Sequence, residues 1–157
     1  MPSSEGSKEA TVSGQGTVRL PRREDASRVA ELYHQLGYRV SRREVLRRLE
    51  EIEQNEHHVG FVAESSHGEI VGFVHAYLRL LIESGLRAEV GGLIVDEEYR
   101  RTGIGRLLME TAEQWARDRG CWAVHLRSNV VREGARVFYE KIGYTVIKKQ
   151  QVFQKVL

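Results

Sequence analysis

Hydrophobic positions change their period several times along this chain, and each change marks an element. Ala26, Val29, Ala30, Tyr33 and Leu36 recur three and four residues apart, which predicts a helix that Gly37 closes. Ser41 and Glu44 form a capping box, with Val40 ahead of them as a staple residue. Val45, Leu46, Leu49 and Ile52 then give a second helix its apolar stripe, ending near Asn55. The pattern next reads as a hairpin: a strand over 59–64, a turn over 65–68 and a strand over 69–80. Residues 81–86 connect it to a central strand over 87–95. The clearest amphipathic helix spans 104–119, with Ile104, Leu107, Leu108, Thr111, Ala112, Trp115 and Ala116 on one face and Gly120 at its end. A strand over 122–126, a helix over 133–142 capped by Gly143, and closing strands over 145–149 and 152–157 complete the series. A short strand over 17–20 precedes the first helix. Residues 1–16 are rich in Ser, Gly and Glu without a hydrophobic period, and read as a disordered tail.

No repeat or linker divides the remainder, so one domain is expected over 17–157. It is of the α/β (α+β) class, with a mixed, mostly antiparallel sheet and helices on both faces. The strand–helix–strand unit over 87–126 should form a right-handed crossover and a parallel strand pair. The 157-residue length allows a full core. A formal net charge of +2 is too small to argue for nucleic acid. The single cysteine, Cys121, excludes an intrachain disulfide and suits a reducing cytosol, so a cytoplasmic protein is expected. Cys121 itself reads as a buried structural thiol. No apolar run reaches the length of a membrane span, so no membrane partner is expected. No histidine pair has zinc-ligand spacing beside cysteines, so no metal is expected.

The chemistry concentrates in residues 88–109, AEVGGLIVDEEYRRTGIGRLLM. A buried strand ends at Asp96, an acidic loop follows, and Gly103 and Gly105 flank the start of the amphipathic helix. The first amides of a helix lack intrahelical partners, and the helix dipole adds about half a positive charge there. Arg100, Arg101 and Arg106 add full charges beside them. The combination suits a phosphate or diphosphate. The dinucleotide motif fits poorly, because Leu108 stands where G-x-G-x-x-G has its last glycine.

R-x-x-G-x-G after a Val95-Asp96 strand end resembles the acetyl-CoA loop of the GNAT N-acetyltransferase superfamily. A second family-like segment, Phe138-Tyr139-Glu140-Lys141-Ile142-Gly143-Tyr144, lies downstream. The chain looks like a small stand-alone, bacterial-type member. The resemblance implies a twisted sheet whose central parallel pair splays apart. It also implies an acyltransferase that moves the acetyl group of acetyl-CoA, its cosubstrate, to a primary amine by direct attack in a ternary complex. Cofactor contacts implied by the match are Leu93, Ile94 and Val95 through their backbone, then Arg100, Arg101, Thr102, Gly103, Ile104, Gly105 and Arg106, with Ala135 and Phe138 in the last helix. Relatives often carry an asparagine seven residues before the tyrosine, where this chain has Arg132; Asn129 and Arg132 are both carried as cofactor contacts.

Tyr139 matches the family tyrosine that protonates the departing thiolate. Glu89 is the candidate base or substrate-binding residue, against an alternative as a member of a surface salt bridge. Many relatives have acidic residues where this chain has Gly91 and Gly92, a pair that also suits a β-bulge. That departure keeps a second reading alive, a non-catalytic CoA-binding or regulatory module. His75 and Tyr77 share one strand face, which either lines the acceptor pocket or serves the core or surface, and the resemblance places the Tyr33–Tyr38 segment beside the acceptor. The acceptor is a small-molecule or peptide amine. A homodimer through the C-terminal strand is left open.

Overall fold

The computed structural model describes residues 10–12, 16–128 and 133–157. The residues expected to form one domain fall in two compact units, Met1–Arg127 and Ser128–Leu157.

The first unit is built on a sheet in the order β1 to β6: Ala10–Val12, Gly16–Arg19, His58–Glu64, Ile70–Leu81, Gly85–Val95 and Val124–Leu126. Neighbours pair antiparallel except β5 and β6, which are parallel. This is the mixed sheet that the hydrophobic pattern predicts. Strand β1 is a correction, because Ala10–Val12 lies inside the stretch read as a disordered tail and pairs with β2. Three residues flanked by Ser and Gly are too short to show a period. The β4–β5 hairpin is also tighter than expected, with both strands running into the presumed connection until only residues 82–84 remain between them.

Helices α1 (Ala26–Gln35) and α2 (Arg42–Glu53) cover one face of the sheet, and α3 (Ile104–Asp118) covers the other. The α2 capping box forms as read: the Glu44 amide donates to Ser41 Oγ at 3.1 Å, and the Ser41 amide donates to Glu44 Oε2 at 2.8 Å. Val29, Leu32, Val62, Phe73 and Ile94 bury against one another on the α1 side. Gly72 lets Leu108 and Ile104 of α3 close on the opposite face; an added Cβ there would sit 2.8 Å from Leu108 Cδ1. Truncating a fully buried leucine such as Leu32 or Leu108 would cost about 2–5 kcal/mol.

The second unit contains α4 (Glu133–Lys141) and its continuation to Leu157. Gly143, at φ +103°, ends the helix as its glycine predicts, and its amide donates to the Glu140 carbonyl at 3.1 Å. Within this unit, taken by itself, the closing strands expected over 145–149 and 152–157 are not present. Val146, Ile147, Val152, Phe153 and Val156 stay exposed there. Alternating side chains mark a segment able to extend, but only a paired neighbour makes it a strand.

Candidate active site

Strand β5 carries the break on which the site depends. Its pairing with β4 places His75 opposite Gly92 and Ala76 opposite Val90, so Gly91 is an extra residue. A Cβ on Gly91 would lie 2.9 Å from His75 Nδ1, and one on Gly92 would lie 2.9 Å from the Tyr33 hydroxyl. Both glycines therefore face the α1 side, and the bulge reverses the alternation beyond them. Glu89 pairs with Tyr77 on that same face. Leu93 and Val95 pair with Val74 and Gly72 on the α3 face, whereas Ile94 packs into the α1-side core.

The bulge also ends the parallel pair. Strand β6 matches β5 only from Ala88 to Val90, yet β5 runs on to Val95. Among the described residues no strand pairs with Gly91–Val95 on that side. The backbone of Leu93, Ile94 and Val95 is thus an open sheet edge, which offers donors and acceptors to an extended ligand.

That edge leads into the glycine turn. Asp96, almost fully buried, holds the turn to the rest of the unit. Its amide donates to the Val71 carbonyl at 2.8 Å, and its carboxylate accepts from the Glu98 amide at 2.9 Å. The carboxylate also pairs with Arg28 and accepts from Gln35 Nε2 at 3.2 Å. Burial opposes the charged form, but these donors outweigh it and hold the Asp96 carboxyl below its ordinary range. A 3₁₀ turn over Glu97–Tyr99 follows, and the Thr102 hydroxyl donates to the Tyr99 carbonyl. Arg101 and Gly103 both have left-handed backbone, at φ +64° and +90°. Gly103 is the N-cap of α3, and the Leu107 amide donates back to its carbonyl at 3.0 Å. The amides of Ile104, Gly105 and Arg106 precede that first helical bond and have no intrahelical acceptor. The side chains of Arg100 and Arg101 are exposed beside them, while Arg106 Nε pairs with Glu110 at 3.0 Å.

Glu89 is placed differently from a free base. It is 4% exposed. Arg79 Nη1 lies 2.8 Å from one carboxylate oxygen and Arg127 Nε lies 3.1 Å from the other. The geometry supports the ion-pair alternative, buried rather than on the surface. A Glu89→Gln variant is therefore expected to lose about 1–2 kcal/mol of stability, because two guanidinium groups lose their counter-charge. Its kcat should stay within about threefold of wild type where it is folded, as chemical-denaturation and rate measurements on one sample will check.

A histidine pair occupies the same face. His58 Nδ1 and His75 Nε2 are 2.9 Å apart, and the two rings stack at 5.2 Å with Tyr77 beside them. Burial, then the neighbouring His58, pushes the His75 imidazolium down to about 4, so the ring is neutral at pH 7. His58 is lowered too, by burial and then by His57. Burial and then Tyr38 raise the Tyr33 phenol to about 12. Beyond these rings a cavity of about 410 Å³ opens between α1, α2 and the sheet. His75, Tyr77 and Tyr33 are among the residues read from the sequence as bordering an acceptor; His58 is not.

In the second unit, α4 carries Ala135, Phe138 and Tyr139. The Tyr139 ring meets Phe138 edge-on at 5.2 Å and Tyr144 at 6.0 Å. Asn129 and Arg132 lie outside the described residues. Among the described residues no group of three or more His, Cys, Asp or Glu could hold a metal ion. No described helix is long and apolar enough to cross a membrane.

The sequence model of the acetyltransferase (GNAT) family matches residues 23–144. The chain belongs to this family. It is 30% identical over 99 residues to an aminoglycoside N(6')-acetyltransferase type 1 of Klebsiella aerogenes, a match covering 61% of this chain and 65% of that protein. The chain thus spans a little under two thirds of that relative's length. The crystal structure of glucosamine-6-phosphate N-acetyltransferase from Arabidopsis thaliana superposes with a TM-score of 0.74 at 26% identity, covering 87% of this chain and 96% of that one. An aminoglycoside N-acetyltransferase in complex with CoA superposes with a TM-score of 0.80 over 97% of both chains; at 19% identity it speaks to the fold alone.

Proposed function

We propose that this GNAT family member transfers the acetyl group of acetyl-CoA to a primary amine by direct attack in a ternary complex. One observation carries the reading: the unpaired edge of β5 runs from the Gly91 bulge into a turn whose amides and arginines suit a diphosphate. The edge suits an extended amide-bearing arm, and the turn suits the diphosphate at the arm's end. A backbone N–H at Leu93 or Ile94 would stabilise charge building on the thioester oxygen. The resemblance carries Tyr139, in the Phe138-Tyr139-Glu140 segment, to the role of proton donor for the thiolate.

The amine arrives as an ammonium ion and loses one proton to solvent before attack. The bond that forms is N–C, and the bond that breaks is C–S. With Glu89 clamped between arginines, the second amine proton leaves through ordered water to solvent. The thiolate takes its proton from Tyr139, and one proton is released per turnover. Cys121 is not a competing covalent nucleophile, since it is half-buried and burial raises its thiol above the ordinary value.

The second reading, a CoA-binding module without turnover, draws on the same clamp and on the missing acids at Gly91 and Gly92. Incubation with acetyl-CoA and an amine panel, followed by mass detection of acetylated product and thiol release, separates the two. Product with intersecting initial-rate lines is the expected result. Tight CoA binding with no product across the panel would leave the module.

A further inference from the structure

We infer that the acceptor is a primary monoamine on an apolar, ring-sized body, seated in the cavity between α2 and the His58–His75 pair. The inference rests on the acetyl-transfer reading and names its substrate class. The cavity's volume of about 410 Å³ falls in the range of small-ligand pockets. Its walls are chiefly hydrocarbon and ring surface: Tyr33, Val45, Leu49, Ile52 and Phe73, closed at one end by the histidines.

Charge decides against the alternative, a polycationic amine. Stripping water from several ammonium groups costs several kcal/mol each unless carboxylates replace it. The lining offers one carboxylate, Glu51, and Arg47 Nε already pairs with it at 3.3 Å. Two buried acids on this side of the sheet are already paired, Glu89 by Arg79 and Arg127, and Asp96 by Arg28. The only guanidinium in the lining, Arg48, is exposed at the rim and would repel a second cationic group. A single amine can stay near the neutral imidazoles while its body replaces water along α2. The relatives named for aminoglycosides are therefore a poor guide to the acceptor here.

The test is equilibrium binding to the full chain, read from histidine ring proton shifts in NMR spectra, with 2-phenylethylamine, spermidine and kanamycin as probes. 2-Phenylethylamine should bind at least tenfold more tightly than either polycation and should move the His58 and His75 signals. Ile52 lines the cavity from the half-exposed last turn of α2. Ile52→Glu should weaken 2-phenylethylamine at least fivefold and narrow its advantage over spermidine. Arg48→Ala, on an exposed side chain, should strengthen spermidine without altering 2-phenylethylamine. Equal or tighter polycation binding, no shift at either histidine, or indifference to both substitutions would overturn the inference. Binding is read without turnover, so the two proposals fail separately. An amine that binds as described but is never acetylated removes the enzyme and keeps the pocket; acetylated spermidine with 2-phenylethylamine ignored does the reverse.

Discussion

Gly103→Val is expected to weaken CoA at least a hundredfold by calorimetry, about 2.7 kcal/mol of binding free energy. Gly103 is the α3 N-cap at φ +90°, where a β-branched residue is strongly strained. Among the described residues, its chain neighbours aside, nothing lies within 4 Å of the Cβ that a substitution would add. The added Cβ would therefore meet open space, and the harm comes chiefly by two other routes. The backbone would relax away from φ +90° and turn the amides of Ile104 and Gly105 off their common target. The branched side chain would also stand in the approach to those amides. Strain of this kind costs about 1–3 kcal/mol, so the melting temperature should fall as well. Gly103→Ala separates the routes, because it keeps some of the strain and little of the bulk. It should lose less affinity at a similar stability cost. CoA binding that persisted within threefold in a folded Gly103→Val protein would move the diphosphate site elsewhere.

The parts of this site that depend on one stretch of chain were legible, and the parts that depend on strand register were not. The glycine turn, the bulge at Gly91-Gly92 and the α2 capping box are each local, set by residues within a few positions of one another. The phase reversal beyond the bulge could be anticipated, but not its direction. The His58–His75 contact is different. It requires β3 and β4 to pair so that His58 falls opposite Tyr77, one diagonal step from His75. That register includes a shift at Ala63/Glu64 beside the turn, which no periodicity reveals. The clamp on Glu89 has the same origin. Arg79 and Arg127 come from the neighbourhoods of β4 and β6, ten and thirty-eight residues away in sequence. A lone acid on a central strand reads as a base until its neighbours are known. The C-terminal segment erred the other way: residues 145–157 alternate as a strand would, yet within their own unit they are not assigned to one.

Tyr139→Phe should lower kcat about a hundredfold while leaving the KM for acetyl-CoA within about threefold. The substitution removes one hydroxyl and keeps the ring. The edge-on contacts with Phe138 and Tyr144 should survive, as should the bond from the Tyr144 amide to the Tyr139 carbonyl at 2.9 Å. What it removes, on the proposed mechanism, is the proton donor. A thiolate leaves more readily when a hydroxyl donor protonates its sulfur during C–S cleavage. General acid catalysis of this type contributes about 10²- to 10⁴-fold. The variant should also respond to the donor: an acetyl thioester of a more acidic thiol needs less help to depart and should show a smaller deficit. A tyrosine that only packed would lower the rate with both donors alike and would shift KM with kcat. In a module without turnover, wild type and variant would be equally silent, and CoA binding would be unchanged in both.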